Sequence, residues 1–357
     1  MRFENIKKSP NDNCVYRGLI LNNDMKVLLI SDSTTDRSAA CLDVNVGFMS
    51  DPAELPGLAH LCMHMLMLDT EKYPNDNEFY SYVTEHGGYV NTTTLFDSTM
   101  FYFDIVSNKL EEALDKFSQS FHKPLLAESM IAPVIDAINS EHNSADYLEK
   151  INQLDRSSAD PQHPFSKFGT GNRETLYVNP KKNGINVRDE LLKFHGTWYS
   201  ANIMALSVLG KESLNDLEKM IVKMFAKVQN KRVKALECLH HPFNKNHYGH
   251  KWFIVPMADI RLLKVFFPLP KLQEHYKADD IVYNQSPSRR KLAIHVISTA
   301  EGGAGDKKNI NDNGERNKKP GATTATKITD VIAFKASQSL YPLVKPYNNI
   351  PIKGSVM

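Results

Sequence analysis

Three short β-rich runs open the chain: VYRGLIL at 15–21, MKVLLI at 25–30 and AACLDVNVGF at 39–48. Asn22, Asn23 and Asp24 supply turn chemistry between the first two, so a hairpin is expected there. The pattern then changes to helical over Leu58–Leu68 and again over Asn77–Glu85, which ends at Gly87–Gly88. Strands are predicted at Tyr89–Thr94 and Met100–Val106. Leu110, Leu114, Phe117 and Phe121 recur at helical spacing, Asn108 and Glu111 stand as a capping box, and Pro124 stops the segment. One long helix is predicted from about Ala132 to Leu154. Another carries Val187, Leu191, Phe194 and Trp198, with Asn186 and Asp189 at its start. NIMALSVLG (202–210) reads as a strand, and Ser213 with Asp216 opens a helix bearing Leu214, Leu217, Ile221, Met224 and Val228. Strands near Trp252–Val255 and Leu263–Phe267 close this part. Strands and helices mixed without strict alternation predict an α+β fold, a mixed sheet backed by helices.

Beyond about residue 280 the pattern fades. Residues 298–330 are rich in Gly, Lys, Asn and Thr without apolar periodicity, as in a loop or linker. The apolar pieces on either side, KLAIHVIS and FKASQSLYPLVKP, are too short to build a core. The expected organisation is therefore a folded domain over 1–280 and an irregular tail over 281–357. Across the 357 residues the apolar fraction is 41%, enough for a sizeable core, and 43 basic residues nearly balance 41 acidic ones. A net charge of +2 gives no electrostatic case for nucleic acid or an anionic membrane. No apolar run is long enough to span a bilayer, and the first dozen residues lack the apolar stretch of a secretory leader. Cys14, Cys41, Cys62 and Cys238 are scattered and read as reduced thiols, which points to the cytosol.

The candidate chemistry lies on the helix over 58–68. His60 and His64 stand at i, i+4, which brings both imidazoles to one face, where they can take adjacent corners of a tetrahedral zinc. Glu141 is the candidate third ligand, since it ends the apolar stripe Val134, Ala137, Ile138 on the long predicted helix. Such pairs also arise by chance as solvated or hydrogen-bonded side chains, and a helix-edge glutamate is ordinarily solvated. Met63, Met65 and Met67 near two histidines raise copper(I) as another metal, but Met65 falls on the other helix face and methionine is a common core filler. His142, His163 and His195 read as structural or surface residues.

GLAHLCMHMLMLDT (57–70) resembles the signature of the insulinase (pitrilysin-like) zinc peptidases, whose inverted motif is H-x-x-E-H. Ser140–His142 resembles the family's third-ligand segment. HPFSKFGTGN (163–172), ELLKFHGTWYSANIMALSVLG (190–210) and IVPMADIR (254–261) extend the similarity over about residues 1–280. The resemblance implies one zinc on His60, His64 and Glu141, and a substrate contact at Asn91. It also implies three departures. Met63 occupies the position of the catalytic glutamate, and a thioether cannot accept a proton at neutral pH. Val134 stands where the family usually has a supporting glutamate. The family's second half is missing, while the tail resembles its extreme C-terminal segment. The expected function is a zinc- and peptide-binding pseudopeptidase, or a partner of an active full-length relative. Two rivals are an active zinc endopeptidase of short peptides and a truncated product without function.

Overall fold

The computed structural model describes residues 1–237 apart from Lys7, Pro10, Asp76 and Asp146, and beyond them 241–247, 253, 263–264 and 296–297. These fall into two compact units, one of residues 1–236 and one beginning at Glu237. In the second, Leu263–Lys264 pairs antiparallel with Val296–Ile297. The rest of the strand expected to Phe267, most of that expected at Trp252–Val255, and the division near residue 280 lie outside the described residues.

The first unit is built on a seven-stranded sheet. Its strands are β1 (Arg2–Phe3), β2 (Val15–Ile20), β3 (Lys26–Ser31), β4 (Arg37–Val44), β5 (Tyr89–Thr94), β6 (Thr99–Val106) and β7 (Met204–Gly210). They lie in the order β1-β2-β3-β7-β4-β6-β5. Every pairing is antiparallel except β3 with β7. Side chains alternate between the two faces of a strand. One set, including Val27, Leu29, Ala40, Leu42, Val44, Phe101, Phe103, Ile105, Leu206 and Val208, enters the main core. Tyr16, Ile30, Ala39, Cys41 and Leu209 form a smaller cluster on the reverse face. Central β7 is buried at every position, which is why its sequence is a continuous apolar run.

Helices α1 (Leu58–Leu66), α2 (Glu78–Glu85) and α3 (Leu110–His122) supply the main core, with α4 (Glu128–Ser144) and α5 (Tyr147–Ser157) following. A π-turn at Glu174–Val178 leads into the short α6 (Asn179–Lys182), and α7 (Val187–Trp198) and α8 (Leu214–Phe225) complete the set. Phe101 and Phe103 from β6 meet Phe117 and Phe121 from α3 edge to face, at centroid distances of 5.0 to 5.2 Å. This is the expected α+β architecture.

Two local expectations are corrected. The single helix from Ala132 to Leu154 is two helices, because Ala145 turns extended at ψ 136° and ends α4. The Asn108–Glu111 box does not form: Ser107–Lys109 is a 3₁₀ turn that runs straight into α3, so Asn108 is already inside helical backbone. The other two caps form. The Asn186 side chain accepts from the Arg188 and Asp189 amides, and Ser213 Oγ accepts the Asp216 amide while donating to its carboxylate.

Candidate metal centre

Helix α1 is almost wholly buried, because its sequence LAHLCMHML is apolar except for the two histidines. Its inner side carries Leu58, Leu61, Cys62 and Met65, each no more than 1% exposed. Packing of that side turns His60 and His64 together toward α4. Their Nε2 atoms lie 3.1 Å apart, with ring centroids at 4.7 Å. Glu141, near the end of α4, brings Oε2 to 3.6 Å from His60 Nε2 and 3.5 Å from His64 Nε2. A tetrahedral zinc with bonds of about 2.0–2.1 Å holds its ligand atoms about 3.3 Å apart. The triangle here brackets that value, and its two-nitrogen, one-carboxylate donor set suits zinc with a position left open. Among the described residues these three form the one cluster of His, Cys, Asp and Glu able to hold a metal.

The surroundings favour the ligand forms of His60 and Glu141. Burial, and then the neighbouring His64, pushes the His60 pKa down, so its imidazole is neutral. The hydrogen bond from His64 holds the Glu141 carboxyl below its ordinary range against the opposing effect of burial. His60 Nδ1 lies 2.7 Å from the Thr170 carbonyl, an acceptor only, so Nδ1 carries the proton and Nε2 offers its lone pair.

Thr170 reaches His60 because two glycines meet behind it. Gly57 sits at φ +96° and Gly171 at φ +70°, and a Cβ on Gly57 would lie 2.4 Å from the Gly171 Cα. Asp51 secures the same end of α1. Its carboxylate accepts the Gly57 and Ala59 amides at 2.7 Å each, and burial pushes its pKa up to about 7. We predict that Gly57→Ala costs on the order of 3 kcal/mol, from left-handed strain added to a backbone clash. Gly87→Ala has open space around it and costs only about 1 kcal/mol. Chemical denaturation of the two variants checks the difference.

Met63 is 2% exposed, and its sulfur accepts a hydrogen bond from Thr94 Oγ1 at 3.2 Å. The side chain at position 63 thus lies between α1 and β5. Asn91 is on β5, an outer strand of the described sheet, but Val90 and Thr94 face α1 and Asn91 therefore faces away. Its amide donates to the Tyr102 hydroxyl at 2.7 Å. The structure gives the Asn91 side chain no place at the ligand triangle and leaves its backbone on the outer strand. Val134 is buried in the core. His142 packs edge-on against Phe168, His163 caps a 3₁₀ turn, and His195 stacks on Tyr199. Sequence reasoning missed Asp51, Lys167 and Thr170. Only the glycines at 57, 169 and 171 hinted that backbone comes close there.

The sequence and the fold both match known proteins. The family model described as Insulinase (Peptidase family M16) matches residues 26–159, and that described as Peptidase M16 inactive domain matches 186–286. The chain belongs to the insulinase family. It is 50% identical over 280 residues to insulin-degrading enzyme of Drosophila melanogaster, covering 78% of this chain and 28% of that protein. Identity to a putative zinc protease of Caenorhabditis elegans is 40% over 283 residues, covering 77% of this chain and 32% of the relative. Crystalline pitrilysin superposes with a TM-score of 0.65 at 34% identity, over 68% of this chain and 26% of pitrilysin. This insulinase-family chain thus spans less than a third of the length of these relatives. No described helix is long and apolar enough to cross a membrane.

Proposed function

We propose that the chain is a zinc-binding insulinase-type domain that holds extended peptides without cutting them. The observation that carries this reading is the buried Met63 beside an intact ligand triangle. His60, His64 and Glu141 hold the metal. A zinc there supplies Lewis acidity to a peptide carbonyl and lowers the pKa of a water ligand. The chain's own residues then fail at the proton transfer. Thr94 presents its hydroxyl to a thioether, and a thioether neither takes a proton nor returns one to a leaving amine. General acid–base catalysis contributes roughly 10²–10⁴ in rate, so its loss raises the barrier by about 3–5 kcal/mol.

Peptide binding is supported by β5. Among the described strands β5 pairs only with β6, leaving its outer edge to accept an added strand beside α1. The backbone of an extended peptide would pair with Asn91 and its neighbours there. A full-length family member is a second candidate for that edge. The intact triangle favours one rival, a slow zinc endopeptidase acting by metal polarisation alone.

A fluorescent short peptide decides between the two. We expect binding by anisotropy and an unchanged peptide mass after prolonged incubation. Chelator-sensitive cleavage by the wild-type protein, abolished by His60→Ala, overturns the proposal.

A further inference from the structure

We infer that Lys167 is a positioning residue for the metal centre, acting through the Thr170 carbonyl on His60; this rests on the reading of His60, His64 and Glu141 as zinc ligands. Lys167 Nζ donates to the Met49 carbonyl at 2.8 Å and to the Asp51 carbonyl at 2.6 Å. Asp51 is also the residue whose carboxylate caps the start of α1. The contacts close a circuit. Asp51 holds the Gly57 and Ala59 amides, the next residue along α1 is His60, His60 bonds Thr170, and three residues back Lys167 returns to Asp51.

Residues 167–171 are attached to the 47–57 segment at three alternate positions. Gly169 lies so close to the Phe48 ring that a Cβ would come within 2.4 Å of it, and Gly171 abuts Gly57. Those two contacts allow close approach but provide no directional bond. Lys167 supplies the direction, with two charge-assisted hydrogen bonds to carbonyls that flank Ser50. The Thr170 carbonyl is thereby kept in front of His60 Nδ1, which fixes the imidazole's tautomer and ring angle. Groups that orient a ligand histidine from behind ordinarily change metal affinity by about 10–100-fold when removed.

Removing the ammonium while keeping the side chain's bulk isolates this role. In Lys167→Met, zinc affinity measured by competition with a chromophoric chelator should fall about 10–100-fold. In the metal-free protein at fixed pH, the imidazole ¹⁵N resonances of His60 should lose the single Nδ1–H pattern of the wild type. A role in loop stability alone would lower the melting temperature and leave both readouts unchanged. A folded Lys167→Met with wild-type affinity and wild-type His60 tautomer overturns the inference. If the wild type itself takes up no zinc, the metal reading fails, and Lys167 is judged on the tautomer alone. Should Lys167→Met not fold, Lys167→Gln, whose neutral amide removes the charge that assists both bonds, takes its place under the same two outcomes.

Discussion

Met63→Glu makes the zinc-loaded protein hydrolyse short peptides about 10²–10⁴-fold faster than the wild type, the range that a positioned general base supplies. The expectation rests on where the side chain at 63 lies. It is buried against β5 with the Thr94 hydroxyl 3.2 Å from the sulfur, so a glutamate there gains a ready-made donor to orient its carboxylate. A buried carboxylate is costly when unpaired, so the variant should be less stable than the wild type without zinc and recover when zinc is added. Initial rates on a quenched-fluorescence peptide, with zinc and with chelator, measure the gain. A folded, zinc-bound Met63→Glu with no gain would show that more than the base is absent. Val134, two turns before Glu141 in the α4 core, would be the next position to restore.

His60→Ala lowers zinc affinity by on the order of 10²–10⁴-fold, roughly a third of the binding energy of a zinc site expressed as a ratio. Glu141→Ala costs less. The two ligands differ in how they are held. His60 is 8% exposed and tied from behind by Thr170, whereas the Glu141 side chain is 57% exposed and near the end of its helix. A rigid ligand loses little conformational freedom on binding metal, while a solvated one must first be ordered. Competitive titration of both variants and the wild type gives the order. Equal losses would place the two ligands on the same footing and contradict the rigidity argument.

The strands and most helices were legible because each follows one local period. β3, β6 and β7 are largely apolar runs, β2 and β5 are rich in β-branched and aromatic residues, and α3, α7 and α8 carry apolar residues at helical spacing. The failures are local competitions that the pattern cannot resolve. Asn108 has the chemistry of a cap, but the chain enters α3 through a 3₁₀ turn begun one residue earlier. Ala145 gives no breaker signal, and yet α4 ends there. At the site, spacing alone paired His60 with His64, because i, i+4 on one helix is geometry in itself. Glu141 is far away in sequence; the apolar stripe it ends made it the candidate third ligand and the family resemblance agreed, but its arrival depends on α4 packing against α1. Thr170 acts through its carbonyl, and the side chains of Asp51 and Lys167 bind main-chain atoms, which have no residue signature. Asn91 was readable as a residue of a strand, but the strand's outer position and the face its side chain takes were fixed only by the sheet order and by Thr94 meeting Met63.

Whether the triangle of His60, His64 and Glu141 holds zinc is decided by the metal content of the protein purified without chelator. About one zinc per chain is expected by inductively coupled plasma mass spectrometry, since His60, His64 and Glu141 already stand at the spacing of a tetrahedral site. A folded protein that carries no zinc, and takes none up when it is supplied, would contradict it.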